Sequence, residues 1–512
     1  MTNSSEPTRH NILTVLLIFF LAIELLLVQE YILDTYNLMT GMALAKYLGT
    51  RILLSFLLAA TLITWLPRTV LTFFCLSQLL FFIIIIEYFN YFSRPLHITT
   101  LLYQTGEGVS VLGYAFELIE GSSVLLLIAT CGVKLLIISQ IKATKLQKKL
   151  KTYFLVSYIL SLTLLTILVK PISAIQQNWS IDQMMHAYGF VIPWAAETIY
   201  LNQENLLKIA LEKAKVVDNQ LNDKIIFNQN IKKVFVIQVE SLDYDILNFK
   251  RDGKQVTPYL NSIIPNSLLF KVKAHHYSGS SDADFVMLTG KRPNELIAPY
   301  KIYDYPYTDT LIDLAKSKNF KTYSYHGNSG FFYERRNAFI SMGVENIIFK
   351  EELQKSGLSV YHDWILDDDL LQRVANETSI NPQQKALSFV ITVTSHGPFS
   401  FTPDDYHNNF ELDMSKMRDR YIASINYVDN ALGRFIKALP KDSLVVIYGD
   451  HESATNPNRI PSSEEYVPVL IYVTESNILQ NNRQIQHSIN ENSLVLNDLA
   501  NMLKNYFIKL EN

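Results

Sequence analysis

The sequence predicts a multi-pass α-helical membrane domain followed by an extracytoplasmic α/β domain, and three observations predict it. Apolar runs long enough to cross a bilayer crowd the first third of the chain. Short β-rich runs alternate with helical stretches after residue 231, and carboxylates, imidazoles and amides stand at the ends of those runs. The expected boundaries are a membrane part over residues 1–170, connecting helices over 171–228 and an exterior domain over 229–512.

At 512 residues, 49% of them hydrophobic, the chain is long for one domain and oilier than a soluble enzyme needs to be. A hydrocarbon core of about 30 Å takes roughly 20 helical residues. Five runs approach that length: Asn11 to Val28, Ile52 to Leu66, Thr69 to Tyr91, Ser122 to Gln140 and Tyr153 to Val169, the second being short. The first lacks a small-residue cleavage site and is followed by others, so it reads as a span and not a cleaved signal peptide.

Loops rich in Lys and Arg stay on the cytoplasmic side. "KATKLQKKLKTY", Lys142 to Tyr153, marks that side, and Arg9 and Arg68 agree with it. The loop from Arg94 to Gly121 carries Glu107, Glu117 and Glu120 and belongs outside. The expectation is a multi-pass protein of the cell (cytoplasmic, or inner) membrane, N-terminus cytoplasmic, with everything after Val169 facing the exterior. The only cysteines, Cys75 and Cys131, fall inside spans, so the exterior domain has no disulfides. A formal net charge of −3 and the lack of a basic stripe with interleaved aromatics argue against a nucleic-acid partner.

After the last span, "NWSIDQMMHAYGFVIPWAAETIY" has the aromatic, amphipathic mix of a segment lying at the headgroup layer. "NQENLLKIALEKAKVVDNQLND" repeats its apolar residues at helical spacing and reads as a connector. Then come "KKVFVIQVE", "KTYSYHG", "LSFVITVTSHG", "SLVVIYGDH" and "YVPVLIYVT". Continuous apolar strands separated by helices argue for a mainly parallel sheet covered on both faces. Ligands of such sheets bind beyond the carboxyl ends of the strands.

"VFVIQV" ends on Glu240 and Ser241, "LVVIYG" on Asp450 and His451, "FVITVTS" on His396, and "TYSY" on His326 with Asn328. Chance placement of eleven histidines would rarely give that edge. A divalent metal explains it economically, and two carboxylates with a histidine suit Zn²⁺ or Mn²⁺. Each residue alone also has a plainer reading, Glu240 as a solvated strand cap and His396 as a turn histidine before Gly-Pro.

A metal site of this kind needs a nucleophile. "HHYSGSSDADFVMLTG" offers Ser278, Ser280 and Ser281 on a loop feeding a helix start, where unpaired N–H groups and the helix dipole favour an anion such as phosphate. A serine on a divalent metal loses its proton readily and can attack phosphorus without a histidine base. The plainer reading is a helix cap, with Ser281 or Asp282 capping.

These residues resemble the alkaline phosphatase and sulfatase superfamily, and within it the lipoteichoic acid synthase group of phosphoglycerol transferases. The nucleophile motif of that group, Gly-Lys-Thr-Ser-Asp-Ser-Glu-Phe, is followed closely by "SGSSDADF", its threonine falling on Ser280. The strand-end glutamate falls on Glu240, the Asp-His metal pair on Asp450 and His451, and the substrate-phosphate histidine on His396 in "SHGPF". A motif ending Phe-Trp-Asn-Arg lines up with "HGNSGFFYERR" and assigns Asn328, Tyr333 and Arg335 to the glycerol phosphate head. The five-span anchor matches too. The resemblance therefore implies an exterior domain of alkaline phosphatase/sulfatase type, with Ser280 catalytic and Glu240, Ser280, Asp450 and His451 on one Mn²⁺ (or Zn²⁺). It implies phosphatidylglycerol as donor and an envelope glycan or polymer as acceptor.

Departures from the pattern include serine for threonine at 280, Gly279 for lysine, Asn328 for aspartate and Tyr333 for tryptophan. Three other functions compete. A phosphoethanolamine transferase shares the chemistry, but its exterior domain carries disulfides that this chain lacks. A sulfatase activity needs proline two residues after its modified residue, where Asp282 stands. A non-catalytic polymer-binding protein has no reason to keep Glu240, Ser280, Asp450 and His451 together.

Overall fold

A computed structural model describes residues 5–33, 41–110, 121–141, 148–176, 180–214, 231–459, 465–476 and 494–510. It groups the chain into two compact units, Met1–Leu101 with Leu118–Asn205, and Leu102–Glu117 with Leu206–Asn512. The basic residues of 142–147, together with Glu117 and Glu120, lie outside the described residues.

The first unit holds α1 (Ser5–Leu33), α2 (Gly41–Trp65), α3 (Arg68–Phe92), α4 (Gly121–Gln140) and α5 (Lys148–Val169). Four stretches are long and apolar enough to cross a membrane: Asn11–Leu33, Ala45–Trp65, Arg68–Phe92 and Leu150–Gln176. The apolar part of α4, from Val124, is shorter. The second span starts earlier than the Ile52 expected from hydropathy. Arg51 interrupts the apolar run, but it is buried and its Nε donates to Glu30 Oε1 at 2.5 Å, so the helix passes through it. A second polar cluster ties three helices together. Lys134 of α4 pairs with Glu24 of α1 and donates to Gln78 Oε1 of α3 at 3.0 Å, while Thr130 Oγ1 donates to Glu24 Oε1 at 2.7 Å. Ionisable groups among apolar helices persist when paired in this way.

Beyond α5 the chain continues into α6 (Ile181–Tyr188) and α7 (Val191–Tyr200) of the same unit. His97 is clamped between them, Nε2 2.7 Å from Asp182 Oδ1 and Nδ1 3.0 Å from Glu197 Oε1. An imidazole facing a carboxylate at each nitrogen donates from both and is held as the cation. Burial opposes this, but Glu197 and Asp182 outweigh it and raise His97 to about 9.

The second unit is built on a seven-stranded sheet. Its strands are β1 (Lys233–Val239), β2 (Leu268–Lys273), β3 (Lys321–His326), β4 (Asn346–Ile348), β5 (Ala386–Ile391), β6 (Leu444–Gly449) and β7 (Tyr466–Val473). They lie in the order β2-β7-β6-β1-β5-β3-β4. The five strands from β6 to β4 run parallel, and β7 and β2 close one edge antiparallel. Alternate residues of β1 serve opposite faces. Phe235, Ile237 and Val239 join a core with Tyr421, Val428 and Phe435 of α8 (Met417–Ala438), whereas Gln238 faces the other way. Burying each large apolar side chain in this core contributes about 1.5–3 kcal/mol.

Register positions the strand ends. Val239 pairs with Gly449 and Gln238 with Ile391, so Glu240 and Asp450 each follow the last residue of adjacent parallel strands. The β5 ladder stops at Ile391, five residues before His396. Asp367 takes the N–H groups of Val393 and Thr394 at 2.8 Å each, and the Glu240 N–H donates to Thr392 Oγ1 at 3.0 Å, so side chains replace the ladder there.

Candidate active site

Glu240, Asp450 and His451 are buried at the carboxyl edge of β1 and β6, with side-chain ligand atoms all within 4.8 Å of one another. Each is pinned by the backbone around it. Asp450 Oδ1 accepts the N–H groups of Ser241 and His451 at 2.8 Å each, which leaves Oδ2 buried without a hydrogen-bond donor. Ser241 donates to Glu240 Oε1 at 3.0 Å, and its own φ of 54° turns the chain sharply after β1. His451 Nδ1 lies 2.9 Å from the Glu452 carbonyl oxygen, and its Nε2 lies 3.2 Å from Glu240 Oε1 and 3.7 Å from Asp450 Oδ2.

Ser280 completes the cluster, donating from Oγ to Glu240 Oε2 at 2.9 Å. It stands at the N-cap position of the helix Ser281–Thr289, and no side chain caps that helix. Asp282 points back along the loop, Oδ2 accepting the N–H groups of Tyr277 and Ser278 at 2.7 Å each. Ser281 Oγ is buried without a hydrogen-bond partner. Of the three serines, only Ser280 reaches the strand-end carboxylates.

The electrostatics suit a divalent cation. Burial and the neighbouring Glu240 charge push Asp450 up to about 8, while burial of Glu240 is overcome by His396 and His451, which hold it well below the carboxylate range. Two carboxylates this close and dry cannot both ionise without positive charge between them. Glu, Asp, His and a serine oxygen are suitable donors for Zn²⁺ or Mn²⁺. A second buried group, His276, His451 and Glu465, differs in this respect. Glu465 Oε1 already accepts from Arg459 Nη2 at 2.8 Å, Oε2 lies 3.2 Å from His276 Nδ1, and the His276 ring stacks on His451 with centroids 4.0 Å apart. Its charge is balanced from within, and it props the His451 ring.

The remaining residues fall around this centre. Arg335 is buried, its Nε donating to Asp284 Oδ2 at 2.7 Å. Tyr333 lies beside Arg335, whose Cζ is 5.9 Å from the phenol centroid, and reaches Gly279, where a Cβ would be 2.1 Å from the tyrosine hydroxyl. The space a lysine side chain would enter at 279 is thus filled by Tyr333. His396 is half-buried, Nδ1 2.7 Å from the Gly397 carbonyl oxygen, and influences Glu240 electrostatically. The Asn328 carboxamide oxygen accepts the Ser329 N–H at 2.7 Å within its own turn. His326 Nδ1 lies 3.0 Å from the Ile391 carbonyl oxygen, and burial lowers it to about 3, so it is a neutral ring tied to the neighbouring strand.

Sequence reasoning passed over Gln238, Asp284 and Asp367. Gln238 Nε2 holds the Ser280 carbonyl oxygen at 3.2 Å, and its Oε1 takes the Tyr448 hydroxyl at 2.6 Å. A lone amide in the apolar run "VFVIQV" was the available signal.

The Sulfatase family profile matches residues 232–491, about half of the chain. Lipoteichoic acid synthase 2 of Bacillus subtilis is 25% identical over 283 residues, 52% of this chain and 43% of that protein. Lipoteichoic acid synthase of Staphylococcus saprophyticus is 23% identical over 281 residues, again 52% and 43%. The chain thus matches under half the length of these curated relatives. Among solved structures, the integral membrane protein lipooligosaccharide phosphoethanolamine transferase A of Neisseria meningitidis shares the fold over 97% of this chain and 95% of its own. Its TM-score is 0.54 at 15% identity. A mixed sheet presenting a serine and three metal-type donors at its carboxyl edge, joined to apolar helices and matched by the profile over half its length, makes this chain a member of the Sulfatase family, in the alkaline phosphatase superfamily.

Proposed function

We propose that the protein is a membrane-anchored, metal-dependent phosphotransferase that moves a phosphoglycerol head group from phosphatidylglycerol to an envelope glycan or polymer through a covalent Ser280 intermediate. The observation that carries the reading is the 2.9 Å hydrogen bond from Ser280 Oγ to Glu240 Oε2 beside the buried Asp450 and His451. A hydroxyl so held, with its oxygen among groups suited to a divalent cation, is a nucleophile for phosphorus.

Ser280 Oγ attacks the head-group phosphorus, the bond to the diacylglycerol oxygen breaks, and diacylglycerol leaves. The serine proton starts on the bond to Glu240 Oε2 and ends on the departing oxygen. An acceptor hydroxyl then attacks the phosphoserine and frees Ser280. A divalent cation, Mn²⁺ with Zn²⁺ as the alternative, would be held by Glu240, Ser280, Asp450 and His451 and would supply the charge that favours the serine alkoxide. Arg335, aimed by Asp284, and His396 oppose charge developing on the phosphoryl oxygens. Tyr333 and Asn328 are assigned to the head group. The apolar helices keep the site near a donor that stays in the bilayer, with the α/β unit on the extracytoplasmic side.

The test is intact-mass spectrometry of the full chain after incubation with mixed phospholipids and Mn²⁺ or Zn²⁺, beside Ser280→Ala. A serine-dependent adduct of glycerol phosphate mass is expected. An adduct of phosphoethanolamine mass would move the donor to phosphatidylethanolamine, and no adduct with no diacylglycerol released would overturn the reading in favour of a polymer-binding role.

A further inference from the structure

Glu107 sits on the short helix Thr105–Ser110, in sequence between the third and fourth apolar helices, yet its segment belongs to the α/β unit. Its carboxylate is largely buried. Oε1 accepts from Lys301 Nζ at 2.6 Å and from the Tyr333 backbone N–H at 3.2 Å. Tyr333 and Glu334 are consecutive non-glycine residues in the left-handed region, with φ of 57° and 58°. Such a pair is strained and persists only where its surroundings over-determine it. Here the Glu107 carboxylate holds the first of the two amides, and Lys301 anchors that carboxylate while lying 3.9 Å from Glu334 Oε1. The turn places the Tyr333 hydroxyl against Gly279, the residue before Ser280, and places Arg335 next in sequence.

We propose that Glu107 is a positioning residue for the head-group end of the site. Through the Tyr333 N–H and Lys301 it sets the left-handed turn that brings Tyr333 and Arg335 to the nucleophile loop. A segment joined to the apolar helices therefore shapes the recognition of a lipid head. The proposal rests on the phosphotransferase reading of Ser280, and its test separates the two.

The full chain is assayed in nanodiscs with Mn²⁺, in one arm with phosphatidylglycerol and in the other with phosphatidylethanolamine. Amide hydrogen exchange over residues 331–336 is measured in parallel. Glu107→Ala is expected to raise the KM for the lipid donor about tenfold with a smaller fall in kcat, because Asp284 still holds Arg335, as loss of one charge-assisted hydrogen bond predicts. Exchange at 331–336 should accelerate locally. Glu107→Gln keeps an acceptor for the Tyr333 N–H and loses the attraction to Lys301, so it should fall between wild type and Glu107→Ala, and Lys301→Met should follow it. Unchanged KM and exchange in Glu107→Ala would overturn the proposal. So would exchange accelerating throughout the α/β unit, which marks a merely structural role. If the wild type transfers neither head group, the reading of Ser280 fails. Exchange then decides alone: local acceleration upholds the positioning role and its absence overturns it.

Discussion

Gly279→Ala tests whether the residue before the proposed nucleophile has to be glycine. Its φ is +125°, a conformation that L side chains rarely adopt, and the added Cβ would lie 2.1 Å from the Tyr333 hydroxyl and 2.8 Å from its Cζ. Ordinary contact between such atoms is roughly 3.5 Å, so the gap is short by roughly 1.4 Å. Tyr333 is the flexible partner, but its backbone is fixed by Glu107, so the ring must swing away or the Ser280 loop must move. The backbone strain alone costs about 1–3 kcal/mol. A displacement of about 1 Å at the reacting atoms costs on the order of 10²-fold in rate. The assay is the rate of the serine-dependent adduct together with the melting temperature of the full chain. Adduct formation should fall about a hundredfold, with a drop of several degrees in melting. Adding Tyr333→Ala to Gly279→Ala should recover the part due to collision and not the part due to φ, a coupling that a double-mutant cycle isolates. A Gly279→Ala protein with wild-type rate and melting would refute the reasoning.

Three further outcomes follow from the geometry. Chelation should abolish adduct formation, and restoring Mn²⁺ or Zn²⁺ to 100 times its Kd should raise stability by about 2.7 kcal/mol. Asp450→Asn should lose that thermal shift, and an equal shift in the variant would remove Asp450 from the cation site. Lys134→Met strands Glu24 among apolar helices and should cost on the order of 3–5 kcal/mol in detergent-solubilised protein. The Glu24→Gln/Lys134→Met double variant should recover most of it, and a double variant no better than the single would deny the pairing. His97 is raised from 6.5 to about 9 in the folded state, so its contribution is fully present below pH 6.5 and is lost as pH rises through 9. That amounts to on the order of 3 kcal/mol. Melting of the wild type should therefore fall more steeply between pH 7 and 10 than that of His97→Gln, and parallel curves would contradict the clamp.

The parts of this fold that were legible in sequence are those where a single period or composition decides the outcome. Val234 to Val239 reads as a buried strand because it is apolar on both faces, and the apolar helices announce themselves by length. β2 was harder, since "LLFKVK" alternates at a sheet edge and β4 has three residues. The antiparallel direction of β7 had no local signal at all, because strand direction is set by the connection and not by the residues that pair.

The site was legible to the extent that strand register is regular. Glu240 and Asp450 each end an apolar run, and parallel pairing with Val239 opposite Gly449 brings them side by side without further information. Residues acting through others escaped for a physical reason. Asp284, Asp367 and Glu107 satisfy guanidinium or backbone donors 51, 26 and 226 positions away, and nothing near them in sequence requires an acid. What they share is burial of a charge, and a buried carboxylate persists only where donors converge on it. A polar residue inside an otherwise apolar run, such as Gln238 in "VFVIQV" or Lys134 in "VKLLII", is the one-dimensional trace of such a convergence. It fixes that a partner exists and leaves only the tertiary fold to say which one.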